Sequence, residues 1–365
     1  MARRGNNIYR RKDGRWEGRF KPLGHGKYRS VYGKSYTETR EKLIEAQKQV
    51  ALPSQKCSLT VKELFGLWLA HIRYKVKESS YANYIMKLEL HIYPAFGAMR
   101  FDGITTQHVN DFISEKLSCG RLGGGALSAK YVSDIVVLLK SAGKFAEREY
   151  GYSNPVKNII TPKARQKDLE IPPRHEQKIL INWLIKNLNP RNLGILLCLY
   201  TGIRLGELCA LKWADVNFYE RVIRINKTVQ RVKRFDGEKK TALVTTSPKS
   251  EKSSREIPVP DFLMTILYKC RQPADCFILG STNRLVEPRL MQYHFKAALK
   301  KARLPSINFH ATRHIFATNC LICGFDIKTL SEILGHATVE LTLNRYVHSS
   351  KERKRECMDK LRLIS

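Results

Sequence analysis

Two proline-containing breaks limit most strongly what this chain can become. ALPSQKCS, residues 51–58, and the Pro- and Lys-rich run from Asn154-Pro155 to Pro173 carry neither helical nor strand periodicity. Read as linkers, they cut the 365 residues into three units, 1–50, 58–155 and 174–365. The expected fold class is therefore α+β and multidomain.

The first unit is small and basic, with fourteen Lys and Arg against five Asp and Glu. Asn7 to Phe20 reads as a hairpin, because Asp13-Gly14 supplies a tight turn between NIYRR and RWEGRF. Strand alternation then sends Trp16 and Phe20 one way and Arg15 and Arg19 the other. A third strand is expected around Lys27 to Tyr32. A helix follows over Thr37 to Gln49, with Leu43, Ile44 and Ala46 on one side. A three-stranded sheet with a basic outer face suits insertion in a DNA groove. The competing reading is a basic but passive appendage.

The second unit reads as all-helical. Thr60 and Glu63 form a capping box, and Leu64, Trp68 and Ile72 share the buried side of the helix it opens. Further helices are expected at Ser79–His91, Thr106–Ser118 and Ser128–Tyr150, with a glycine-rich loop, Gly120 to Gly125, between the last two. Its Lys and Arg residues fit a solvated face or a DNA face equally. The third unit starts helical at His175 to Asn187 and Leu193 to Thr201. Arg221 to Arg234 and Ala242 to Pro260 alternate like strands of a small sheet. From Asp261 on, the pattern is mainly helical.

Charge narrows the partners. With 65 Lys and Arg against 33 Asp and Glu, the formal net charge is +32, and such self-repulsion is relieved by a polyanion. The longest apolar run, Leu193 to Tyr200, is far short of the ~20 residues of a membrane span. The basic N-terminus has no apolar stretch behind it, so no signal peptide is expected. Nine cysteines without framework spacing suit a reducing compartment, hence a cytoplasmic location. Cys320 and Cys323 form a CxxC with no second pair, read as buried structural thiols.

Four segments of the third unit carry residues of catalytic type. Thr201-Gly-Ile-Arg204-Leu-Gly-Glu207 sets an arginine at a helix junction, where it can grip a phosphate. Pro248-Lys249-Ser250 lies in a turn of the sheet. His310-Ala-Thr-Arg313-His314 places His310 and Arg313 one helical turn apart. Leu334-Gly-His336 is followed ten residues later by Tyr346. Singly, each residue reads as core or surface, with His314 and His348 as structural neighbours. In this order they resemble the signature of the tyrosine recombinases, the integrase family of phages and conjugative elements. The matching positions are Arg204, Lys249, His310, Arg313, His336 and Tyr346, with Lys252 the alternative to Lys249.

The resemblance implies an AP2-like arm-type DNA-binding domain (1–50), a SAM-like core-binding domain (58–155) and a catalytic domain (174–365). It also implies chemistry without cofactor or metal, and the sequence holds no GxxxxGK[ST] or HExxH motif. Arg204 and Arg313 would hold the phosphate and the charge growing on it. His336 would donate a hydrogen bond. His310 would help accept the phenolic proton or act as a further donor, and Lys249 would protonate the leaving 5′ oxygen. Tyr346 would carry the DNA 3′ end. The implied partners are double-stranded DNA at core and arm sites, three further copies of the chain in a tetramer, a DNA-bending host factor and an excisionase. The tail, with Met358, Leu361 and Leu363, is expected to pack on a neighbouring protomer. A type IB topoisomerase-like enzyme and a non-catalytic DNA-binding regulator are the alternatives.

Overall fold

The N-terminal hairpin forms where Asp13-Gly14 directs it. β1 (Ile8–Arg10) and β2 (Trp16–Phe20) pair antiparallel, and β3 (Arg29–Gly33) adds on the other side of β2. The computed structural model describes residues 7–21, 28–49, 57–121, 123–163, 171–234, 240–246, 254–280, 283–336 and 338–346. Across the sheet, Tyr9, Glu17 and Tyr32 occupy one row, and Arg19 shares their face by alternation. On the opposite face Gly18 and Phe20 meet α1 (Tyr36–Gln49), where Thr39 and Leu43 are buried. The expected apolar side of α1 is corrected here. Ile44 is 43% exposed, because the row that meets the sheet is Thr39 and Leu43, four residues apart.

The helical part follows with α2 (Val61–Ile72), capped reciprocally by Thr60 and Glu63. α3 (Glu78–Lys87) runs into a wider π turn (Leu88–Ile92) and α4 (Tyr93–Phe96). Pro94 has no N–H to give the preceding turn and crowds the carbonyl four residues back, which accounts for the widening. α5 (Thr106–Cys119) and α6 (Ala129–Tyr150, capped by Ser128) complete the set. Their shared core includes Val61, Leu64, Phe65, Trp68, Ile92, Val109 and Leu139. Both expected linkers are trimmed. Cys57 is buried in this core, and so are Val156 and Ile159. Residues 51–56 and 164–170 lie outside the described set.

The chain forms two compact units, Met1–Arg165 and Gln166–Ser365, so the division falls inside the expected second linker. In the second unit, α7 (Arg174–Lys186) leads to α8 (Pro190–Thr201), whose residues from Asn192 to Leu199 are all buried. Asn189 caps α8 with Pro190 just inside, and Gly202 closes it. α9 (Leu205–Ala210) starts three residues after that glycine. The single small sheet expected is in fact two. β4 (Val216–Asn217), β5 (Val222–Ile225) and β8 (Arg255–Pro258) form one, while β6 (Thr228–Lys233) and β7 (Thr241–Thr246) pair separately. α10 (Asp261–Lys269), α11 (Pro288–Lys301), α12 (Ala311–Ile322), α13 (Ile327–Leu334) and α14 (Val339–Tyr346) follow. No helix among the described residues is long and apolar enough to cross a membrane.

A candidate phosphate-binding arginine cluster

The site begins at the break between α8 and α9. Gly202 adopts a left-handed conformation (φ 65°), and a Cβ there would collide with Phe316 and Leu334. The chain can therefore turn sharply and leave Arg204 at the cap of α9. The backbone N–H of Arg204 donates to Glu207 Oε2 (2.9 Å), its Nη1 to Glu207 Oε1 (2.7 Å) and its Nη2 to the carbonyl of Gly335 (3.0 Å). The last contact spans 131 residues of sequence.

Arg313 lies on α12 and is 2% exposed. Its Nη1 donates to the Gly202 carbonyl and its Nη2 to the Leu334 carbonyl, both at 2.7 Å. A third arginine completes the arrangement. Arg255 on β8 donates from Nε to the Ile333 carbonyl (2.6 Å) and from Nη2 to Glu207 Oε2 (3.0 Å). Three arginines from three elements thus hold three consecutive carbonyls, those of Ile333, Leu334 and Gly335. This is the C-terminal end of α13, where unsatisfied carbonyls and the helix dipole attract cations. Gly335 is also left-handed (φ 62°), and the Arg255 guanidinium lies close against it.

Glu207 is 4% exposed. Burial would push its carboxyl pKa up, but the adjacent guanidiniums, Arg255 foremost, outweigh that and hold it below the usual range. It therefore stays ionised in this cluster.

His336 follows directly. Its Nδ1 lies 2.7 Å from Thr342 Oγ1, and Thr342 is buried in α14, so the ring is oriented by the helix that ends at Tyr346. The described geometry stops at that backbone: the side chain of Tyr346, the tail with Met358, Leu361 and Leu363, His348, Lys249 and Lys252 lie outside the described residues. His310 is exposed at the start of α12, and its ring meets His314 edge to face at 4.7 Å. Arg204, Arg313 and the His336 segment are therefore brought together around the end of α13. His310 sits on the same helix as Arg313 but in an exposed position. The CxxC reading needs correction: Cys320 is buried, while Cys323 is exposed past the end of α12.

Residues 176–353 match the phage integrase family, and residues 60–117 match the N-terminal SAM-like domain of phage integrases. The chain belongs to the phage integrase family of tyrosine recombinases. A XerC-like tyrosine recombinase of Caldanaerobacter subterraneus subsp. tengcongensis is 26% identical over 371 residues, 91% of each chain. The Tn1549 transposon integrase, solved with transposon right end DNA, shares the fold. Its TM-score is 0.68 at 20% identity, over 83% of this chain and 99% of that one. A lambda integrase tetramer bound to a Holliday junction gives 0.57 at 17% identity, over 96% and 99%.

Within this integrase fold, two contributors escaped the sequence reading. Arg255 had one visible signal. It alternates with Ile257, which is buried, so a cation stood on the inward face of β8. Thr342 gave no signal, since a lone threonine between two motif residues is unremarkable by type.

Proposed function

We propose that the chain is a site-specific DNA recombinase that cuts and rejoins duplex DNA through a phosphotyrosine on Tyr346. The observation that carries this reading is the convergence of Arg204 and Arg313 beside His336. Guanidiniums are always protonated and match the geometry of phosphate oxygens. Held in place before the substrate arrives, they need little reorganisation as charge builds on the phosphate. In the proposed step, the Tyr346 oxygen bonds to phosphorus and its proton passes to a nearby base, for which His310 is the candidate. The bond to the 5′ oxygen breaks, and that oxygen takes a proton from Lys249. The phosphotyrosine keeps the energy of the broken ester, so rejoining needs no nucleotide.

Integration and excision of a mobile element fit this chemistry and the Tn1549 likeness in fold. Exchange between two duplexes requires four cut strands, one per protomer, and the related lambda enzyme was solved as a tetramer on a junction. The N-terminal sheet, with Arg11, Arg15 and Arg19 around its outer face, is the proposed reader of arm sites, while residues 58–155 and the C-terminal unit hold core sites. A DNA-bending host factor and an excisionase are the accessory proteins this scheme calls for, in the bacterial cytoplasm.

The test is covalent capture. Element-end DNA flanking the gene, nicked near the crossover, is incubated with the protein in EDTA and run on a denaturing gel. Labelled DNA should migrate with wild-type protein and not with Tyr346→Phe, although both bind the DNA. An adduct that persists in Tyr346→Phe would overturn the assignment of the nucleophile. Tight binding without any adduct would favour a non-catalytic regulator.

A further inference from the structure

Arg255 is absent from the six-residue signature, yet all three of its guanidinium nitrogens donate within the site. Its side chain is 6% exposed, against 36% for Arg204. Its Nε, Nη1 and Nη2 are all turned to Glu207 and the Ile333 carbonyl, which commits it to the protein, whereas Arg204 is the more open of the two. Both arginines bond the same carboxylate. Arg204 donates to Glu207 through Nη1 and its backbone N–H, and Arg255 through Nη2 at 3.0 Å and Nη1 at 3.3 Å. With only Arg204 beside it, Glu207 would cancel the charge that must meet the phosphate. With two guanidiniums on one carboxylate, the group carries a net positive charge, and the exposed member of the pair is Arg204. The second hand of Arg255, Nε, holds the Ile333 carbonyl at 2.6 Å. That carbonyl lies three residues before His336, and the same turn offers Gly335 to Arg204.

We infer that Arg255 is a positioning residue for strand cleavage: it offsets the charge of Glu207 and ties β8 to the end of α13. Arg204 is thereby left cationic toward the scissile phosphate, and His336 is presented beside it. The inference rests on the recombinase reading above. An ordinary buried ion pair would only stabilise the fold, and such pairs are often replaceable without loss. Charge offset makes a further demand, because the loss must depend on the charge of the phosphate being cut.

The experiment measures single-turnover adduct formation by the full chain on two nicked duplexes. One has the natural scissile phosphate, and the other has a neutral methylphosphonate at that position. Arg255→Met should bind both as wild type does. It should cleave the natural phosphate about 10- to 100-fold more slowly, the loss typical of a residue that orients a reacting group through another. Its deficit should shrink on the methylphosphonate. Arg255→Lys, which keeps the charge but cannot span both partners, should fall between. Adding Glu207→Gln to Arg255→Met removes the uncompensated carboxylate and should restore most of the rate. A deficit equal on both substrates, no deficit, or a double variant no faster than the single one overturns the inference. Should Arg255→Met not fold, the double variant decides alone: cleavage within about tenfold of wild type is expected, and a larger loss overturns the inference. No adduct from wild type on either duplex would bring down the recombinase reading, and Arg255's role with it.

Discussion

In the N-terminal sheet, Arg11 and Arg19 converge on Glu17; in the C-terminal unit, Arg204 and Arg255 converge on Glu207. Both carboxylates are shielded, at 1% and 4% side-chain exposure. The arginines around them differ. Those of the sheet are largely open to solvent and lie over tyrosine rings, Arg19 over Tyr9 and Arg11 and Arg15 over Tyr32. Those of the C-terminal unit reach past their carboxylate to backbone carbonyls at a helix end. Solvated guanidiniums on flexible stems can adapt to a groove whose sequence varies. Fixed ones suit one phosphate held in one geometry, where reorganisation slows the reaction. Under the proposed function, the contrast would separate binding from chemistry, and it can be broken by substitution.

The largest effect should come from Glu207→Ala, which leaves Arg255 buried without its counter-ion. Breaking a buried pair in this way costs about 3–5 kcal/mol, read as a lowered unfolding transition of the C-terminal unit in calorimetry. Glu17→Ala, whose arginines are already in water, should shift the N-terminal sheet much less. Equal shifts would erase the distinction. Arg313→Met comes next. It strands the Gly202 and Leu334 carbonyls, and an unsatisfied buried acceptor costs about 1–3 kcal/mol. The matching change in the sheet, Arg19→Ala, should lower the unfolding transition less, because Ser30 and Arg11 still bond the Glu17 carboxylate.

A smaller effect should appear in acid. Hydrogen bonds from Arg19 and Ser30 hold the Glu17 carboxyl at about 2, below its ordinary 4.5. A folded-state pKa depressed in this way contributes stability that is full above the ordinary value and lost as pH falls toward 2. Protection of the β2 amides against hydrogen exchange, taken relative to the intrinsic rate at each pH, should therefore fall between those limits in wild type and change less in Glu17→Gln. A pH response that is the same in both would remove Glu17 as the cause. The smallest effect concerns salt. If Arg19 meets a DNA phosphate, Arg19→Ala should lower the salt slope of arm-duplex binding by about one unit, with the fold unchanged. An unaltered slope would return the sheet to a passive role.

Local chemistry made much of this fold legible. The Thr60–Glu63 box and the Asp13-Gly14 turn each act over three or four residues, and each lies where the sequence places it. The ordered motif residues were also readable, because Arg204, Arg313 and His336 are marked by type and spacing. What was hidden depends on distance. The inward side of α1 is set by a sheet that prefers the Thr39 row over the more apolar Ile44. Val156 and Ile159 look like linker residues until the helical core receives them. Arg255 meets Glu207 across 48 residues and Ile333 across 78, and no window of sequence contains both ends of those contacts.

The arginines bonded at the end of α13 also impose an order in time. Arg204 and Arg255 leave the ribosome well before Ile333, Leu334 and Gly335 do. Until those carbonyls emerge and α13 folds, the cations lack the partners that set their positions. A chain still being made, or one cut short before residue 333, can carry basic surfaces that cling to DNA without an assembled cleavage site.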